Sequence, residues 1–236
     1  MSEILLDILL LIGAYLIGSI PYMLFLSHAK GVDLSLEEDL HIAMYRKVGR
    51  LEGLSGIFVD IIKGIIPVLI GFFFNFNLII VAFAGVAAIC GQMWPVFQKF
   101  NGEKGNTTGI GVMITLCFAY GAYLTFVVCA LIMLTGFIIR TLPRIMKSGQ
   151  TLRDRLSFGG PVSNSLPLGM IIGFATLPLV SWLTQEALEL TLAFLCMFLL
   201  IVLRRLTAGL NAELKEPRTG VSSILINRLL YDRSYY

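Results

Sequence analysis

Apolar residues gather in long runs separated by short polar stretches, and these runs organise the chain. Ile4 to Leu26, Ile57 to Phe76, Leu78 to Phe97 and Ser165 to Gln185 each approach the roughly 20 helical residues that cross a hydrocarbon core. Leu188 to Leu203 is somewhat shorter. The stretch from Ile110 to Ile139 carries no charge and would be about 45 Å long as one helix at the usual rise per residue. That is too long for a comfortable single span, so a break at Ala119-Tyr120-Gly121-Ala122 into two short helices is predicted. The pattern predicts an all-α fold, a polytopic membrane helix bundle of seven transmembrane helices.

The placement of charge supports that break. With seven spans, Lys30, Arg46, Lys47, Arg50, Lys99, Lys104, Arg140, Arg144, Lys147, Arg153, Arg155 and every basic residue from Arg204 onward share one face, and the opposite face has no Lys or Arg. By the positive-inside rule the N-terminus is outside and the C-terminus cytoplasmic. A single span over Ile110 to Ile139 would put basic loops in opposite compartments. Residues 27 to 53 then form a charged cytoplasmic segment, with a short amphipathic helix predicted at the interface. Residues 141 to 164 form a second, basic and Gly/Ser-rich loop without a strong signal for regular structure. Residues 1 to 214 read as one membrane domain and 215 to 236 as a peripheral cytoplasmic tail, whose Ile224-Leu225-Ile226 and Leu229-Leu230 suit lipid headgroups.

Composition narrows the class. A chain of 236 residues that is 57% hydrophobic and only 14% charged, with a mean hydropathy of +0.85, is not an ordinary soluble domain. The net charge of +3 is small, and no basic patch with interleaved aromatics suggests nucleic acid as a partner. Cys90, Cys117, Cys129 and Cys196 lie inside apolar runs without a C-x-x-C pair, and His28 and His41 are the only imidazoles. Neither disulfides nor a zinc site is predicted. The start Met1-Ser2-Glu3-Ile4 lacks a positive n-region and a cleavage site, so the first run is expected to remain as a helix.

Candidate chemistry sits where the runs end. In the loop from Gly91 to Thr108, Lys104 stands between Gly102 and Gly105, so backbone amides and one cation would converge on a phosphate at the membrane surface. A plain cytoplasmic turn containing a lysine is the alternative. Asp60 and Lys63, three residues apart on one helical face, are either a phosphate ligand with its orienting carboxylate or an ion pair that snorkels to the surface. Gly64 would allow another helix or a ligand to approach closely. Pro21 in Gly18-Ser19-Ile20-Pro21 kinks the first helix, and Ser19 could face an anion or bond a carbonyl of its own helix.

Taken together, Gly18-Ser19-Ile20-Pro21, Lys30-Gly31-Val32-Asp33, Asp60-x-x-Lys63-Gly64, Gly91-x-x-x-Pro95-Val96-Phe97, Lys99-Phe100-Asn101-Gly102-Glu103-Lys104-Gly105 and Arg204-Arg205-Leu206-Thr207-Ala208-Gly209 resemble the bacterial acyl-phosphate:glycerol-3-phosphate acyltransferase family. The resemblance spans roughly residues 13 to 214. It implies a multi-pass enzyme of the bacterial inner membrane, free of metal and cofactor, whose active site faces the cytoplasm. Such an enzyme makes lysophosphatidic acid from acyl phosphate and glycerol 3-phosphate among membrane lipids, with an acyl-phosphate-producing enzyme as a partner. It further implies Lys104, Lys63 and Ser19 as catalytic residues and Arg46, Arg50, Lys99, Asn101, Gly102, Gly105, Asn106 and Thr107 as ligands for substrate phosphate. Asp60, Asp33 and Gln92 would orient them.

The chain departs from the family pattern at several points. Leu34 to Tyr45 replaces a Gly-Ser-Gly-Asn followed by Gly-Ala-Thr-Asn, Gln92 stands for a histidine, Glu103 for a glycine, and Gly209-Leu210-Asn211 for Gly-Thr-Glu. The residue that accepts the hydroxyl proton is therefore open: a substrate phosphate, whose second pKa is near 6, could serve. His41 is either a replacement or a solvated loop histidine. Two other readings are a catalytically silent relative that binds lipid phosphate or a partner enzyme at the membrane, and a small transporter with broken helices.

Overall fold

The apolar runs are helices in a computed structural model that describes residues 2–35, 37, 39–145, 165–210 and 220–232. In chain order these are α1 Glu3–Gly18, α2 Tyr22–Ala29, α3 Leu40–Lys47, α4 Arg50–Phe73, α5 Leu78–Met93, a 3₁₀ turn Val96–Gln98, α6 Asn106–Ala119, α7 Tyr123–Ile145, α8 Ser165–Leu183, α9 Leu188–Thr207 and α10 Val221–Tyr231. The described residues contain no strand. Six segments are long and apolar enough to cross a membrane, α1 with α2 counting as one and the others being α4, α5 with the 3₁₀ turn, α7, α8 and α9. Large apolar side chains such as Phe58, Phe73, Leu131, Trp182 and Leu199 stay exposed, as a bundle solvated by lipid requires.

The long uncharged stretch breaks where the sequence predicted. α6 ends at Ala119 and α7 begins at Tyr123; Gly121 turns the chain with φ +75°, a left-handed conformation that disfavours any side chain. At 14 residues, α6 is about 21 Å long, shorter than the hydrocarbon core. It lies against α4, and Gly109, Gly111, Val112, Met113, Thr115 and Leu116 are buried.

Close helix approaches explain several glycines. A Cβ at Gly111 would lie 2.1 Å from the carbonyl oxygen of Ile61, and one at Gly64 2.2 Å from that of Thr108, so α4 and α6 pack backbone to backbone. The same holds for α1 and α5, where a Cβ at Gly18 would meet Ala88 O at 2.0 Å and one at Gly91 would meet Tyr15 O at 2.1 Å. Small residues permit this separation, which van der Waals contact rewards inside a membrane. The partner that approaches Gly64 is thus another helix.

Helix ends differ from the apolar boundaries in ways that matter for the site. α4 begins at Arg50, not near Ile57, because Arg50 and Glu52 are exposed or half-buried in its first turn while Gly53 and Gly56 pack inward. α5 stops at Met93, since Pro95 cannot continue it. The charged segment contains the expected short helix, α3, capped by Asp39 Oδ1 accepting from Ile42 N at 3.0 Å and burying Leu40, Ala43 and Met44. Of the predicted loop 141 to 164, residues 141–145 continue α7 and the remainder lies outside the described residues. Within the predicted tail, α10 packs on α8 and α9, with Ile224 4% and Arg228 3% exposed, and residues 215–219 and 233–236 lie outside the described residues.

Candidate active site

Five side chains from four parts of the chain meet at one end of the bundle. Asp60 and Lys63 share a face of α4, and Lys63 Nζ donates to Asp60 Oδ1 at 2.7 Å. Gln92, one residue before the end of α5, closes a ring with both: its Oε1 accepts from Lys63 at 3.0 Å, and its Nε2 donates to Asp60 Oδ2 at 3.1 Å. A glutamine can do this because its amide carries an acceptor and a donor together. Asp60 and Lys63 are only 0% and 5% exposed, so the pair does not snorkel. Two charges at that depth are tolerable only when paired and hydrogen-bonded.

The remaining two members arrive from outside the spans. α3 delivers His41, whose Nε2 lies 3.3 Å from Asp60 Oδ2 and 3.1 Å from Glu103 Oε2. The His41 and Glu103 side chains are each 18% exposed, so His41 is built into the cluster and is not a solvated loop residue. Burial disfavours its imidazolium, but the carboxylates of Glu103 and Asp60 outweigh this and hold the His41 pKa well above the ordinary range. With His41 protonated, it and Lys63 face the Asp60 and Glu103 carboxyls, and burial pushes the Glu103 carboxyl up. The His41 Nδ1 atom points toward α4, where a Cβ at Gly56 would lie 3.6 Å away, and it is buried without a hydrogen-bond partner.

The lysine loop is held by an arginine that the motif reading did not place in the site. Arg204, in the last turn of α9, donates to the carbonyls of Gly102 and Glu103 and to Asn101 Oδ1, and its guanidinium lies over the Trp94 ring. Gly102 N donates to Met93 O at 3.2 Å and Glu103 N to Gln92 O at 3.1 Å. Both amides are therefore spent in fixing the loop and do not point at a ligand. Gly105, with φ +73°, turns the chain into α6, whose first N–H groups lie immediately after Lys104 and have no partner within the helix. The buried Asn106 Oδ1 and Thr108 Oγ1 have no partner either. Lys104 Nζ reaches the C-terminal segment, donating to Asp232 O at 2.8 Å with Asp232 Oδ1 at 3.2 Å.

Ser19 is 1% exposed and lies at the break between α1 and α2. Its hydroxyl donates to Tyr15 O at 2.9 Å, and it lines a small pocket with Gly18, Lys63, Gln92 and Glu103. Thr107 is half-buried in the first turn of α6. Arg46 and Lys99 are exposed, and Arg50 is exposed with its guanidinium over the Tyr45 ring. Asp33, also exposed, accepts from Ser35 N at 2.9 Å. Those hydrogen bonds hold its pKa below the usual carboxylate value.

The pocket is narrow, about 10 Å³, and its wall presents Lys63 and Gln92 with Glu103 of the lysine loop alongside. Along α1 lies an open apolar groove of about 410 Å³, lined by Leu9, Leu10, Gly13 and Ile17 of α1 and by Pro67 and Ile70 of α4. Consecutive residues of α1 line the two, Ile17 the groove and Gly18 the pocket.

Comparisons with known proteins agree with this architecture. The family model described as glycerol-3-phosphate acyltransferase matches residues 8–209. A glycerol-3-phosphate acyltransferase of Geobacter metallireducens is 42% identical over 115 residues, covering 48% of this chain and 59% of the relative. One from Geotalea daltonii is 43% identical over 111 residues, covering 46% and 57%. The chain thus spans less than two thirds of the length of these relatives. Two crystal structures of PlsY (YgiH), an integral membrane glycerol 3-phosphate acyltransferase, in its lysophosphatidic acid and glycerol 3-phosphate forms, share the fold with TM-scores of 0.65 and 0.66. Each is 24% identical in sequence, over 93% of this chain and 98% of that one. By its sequence over residues 8–209, this chain belongs to the glycerol-3-phosphate acyltransferase family.

Proposed function

We propose that this protein transfers a fatty acyl group from acyl phosphate to glycerol 3-phosphate, giving lysophosphatidic acid. The observation that carries the reading is the buried Lys63 ammonium, fixed by Asp60 and Gln92, on the wall of a pocket that shares α1 with an apolar groove. Acyl phosphate is a mixed anhydride. Its acyl carbon to phosphate-oxygen bond breaks as the glycerol hydroxyl oxygen bonds that carbon, and phosphate departs. Because the donor is already activated, the protein has mainly to place two phosphorylated molecules and neutralise the leaving group.

Lys63 and Lys104 serve as the cations for the two phosphates, and the groove takes the acyl chain. Asp60 and Gln92 orient Lys63, while Arg204 shapes the loop that carries Lys104. His41 is a positioning residue: Nε2 is engaged by two carboxylates and Nδ1 faces α4, so neither nitrogen meets the pocket as a base. The hydroxyl proton passes to a substrate phosphate, whose second pKa near 6 suits it to accept. Ser19, with its proton committed to Tyr15 O, offers its oxygen as an acceptor and lines the pocket.

The same reading places α6 as a seventh, short span, with the N-terminus outside, the C-terminus cytoplasmic and the protein in a bacterial inner membrane. Support comes from the gathering of His41, the Lys104 loop and Arg204 at one end of the bundle, the end that carries the basic loops. Purified protein given acyl phosphate and labelled glycerol 3-phosphate is expected to form lysophosphatidic acid, and Lys63→Met to lose it. Binding of acyl phosphate without turnover would instead identify a silent relative.

A further inference from the structure

The family match ends at residue 209, yet the chain beyond it reaches back to Lys104. α10 is fixed by buried Ile224 and by Arg228, whose guanidinium donates to Ala208 O. Asp232 follows α10 directly. Its carboxylate sits between Lys104 Nζ at 3.2 Å and Arg205 Nε at 3.8 Å. Arg205 is 1% exposed; its Nη1 donates to Pro167 O and Leu229 O, while Nε and Nη2 have no hydrogen-bond partner. A buried guanidinium with open donors marks a site built for an anion.

The present occupant fills that site poorly. Asp232 Oδ1 is buried without a hydrogen bond, so charge holds the carboxylate, while the residue's backbone carbonyl accepts from Lys104 Nζ. Local structure also works against an aspartate here. It stands at the C-terminal end of a helix, where the macrodipole disfavours a carboxylate. Only the two cations compensate. A phosphate monoester brings up to two negative charges and three terminal oxygens, enough to reach Lys104 Nζ and the idle Arg205 donors together.

We propose that Lys104 and Arg205 form a phosphate-monoester subsite whose internal ligand is Asp232, so that the C-terminal segment closes the site until a phosphorylated ligand displaces the carboxylate. The inference rests on the acyl-transfer reading only for which phosphate competes. The segment acts as a tethered competitor that sets how much phosphorylated ligand is needed.

The test uses the full chain in detergent micelles with inorganic phosphate and glycerol 3-phosphate as probes. Asp232→Asn removes the charge while keeping the shape, and Asp232→Ser is a second uncharged variant. Both are expected to bind each probe at least threefold more tightly than wild type, and Lys104→Ala added to Asp232→Asn is expected to abolish the gain. Where wild type turns over, the KM for one phosphorylated substrate falls by a similar factor with kcat unchanged. Unchanged or weaker phosphate binding in a variant that keeps the wild-type melting temperature overturns the proposal, and so does unfolding of both variants, which would make the carboxylate structural. Absence of wild-type turnover with tighter phosphate binding in the variants would sink the acyl-transfer reading and leave this one standing.

Discussion

Replacing His41 with glutamine tests whether pairing with His41 is what tolerates Glu103. The His41–Glu103 contact at 3.1 Å joins two side chains that are each 18% exposed. At an effective dielectric near 20, a unit-charge pair at that distance attracts by about 5 kcal/mol. Desolvation of both groups offsets more than half of this, leaving a net coupling of about 2 kcal/mol. His41→Gln should therefore lower the melting temperature by roughly 4 to 8 °C, on the usual scaling for a chain of this size. Glu103→Gln should cost less, because His41 keeps Asp60 and a carboxylate repulsion disappears. The double variant should then be about 2 kcal/mol more stable than the two single losses predict. Thermal unfolding of wild type, both single variants and the double variant in detergent at neutral pH closes the cycle. Effects that add to within about 0.5 kcal/mol would refute the reasoning.

Further outcomes follow from the same contacts. The His41 pKa is raised in the folded state, so the stability it contributes is fully present below its ordinary value near 6.5 and fades as pH rises through the raised value; the melting-temperature advantage of wild type over His41→Gln should shrink between neutral and alkaline pH, and a constant or growing gap would contradict the assignment. A Cβ at Gly111 would lie 2.1 Å from Ile61 O, next in sequence to Asp60, whereas one at Gly13 meets nothing within 4 Å. Gly111→Ala should accordingly destabilise by about 2 kcal/mol or more, while Gly13→Ala should be neutral or stabilising by up to about 1 kcal/mol, as melting curves would reveal; equal effects would count against the α4 and α6 packing.

Much of the fold was legible because lipid forces each apolar run into a helix, and the charge-free stretch was too long to be one. The break at Gly121, the kink at Pro21 and the short helix in the charged segment all followed from that length argument or from local residue chemistry. Helix ends were less legible: the polar residues Arg50 and Glu52 hid two further turns of α4, since hydropathy does not register a helix that leaves the membrane. In the site, Asp60 and Lys63 paired as their spacing suggested, and Gln92, which only the family resemblance had named, joined them. His41 did not announce itself, because a lone histidine in a charged loop is normally solvated, and only the buried carboxylate at 103 gives it a reason to turn inward. Glu103 stood in the sequence only as a departure from the family's glycine; with His41 opposite, it becomes half of a pair. The Arg204-Arg205 pair at the end of an apolar helix was the available signal for the anchor of the lysine loop. Asp232 carried no signal, since nothing in its local sequence indicates that α10 folds back to Lys104.

The most direct measurement is formation of lysophosphatidic acid by the purified full chain from acyl phosphate and glycerol 3-phosphate, run beside Lys63→Met. The account predicts product with the wild type and a loss of about a hundredfold or more in kcat/KM with the variant, as expected when a preorganised charge at the reacting phosphate is removed. Absence of product from the folded wild type, or undiminished turnover by Lys63→Met, would contradict it.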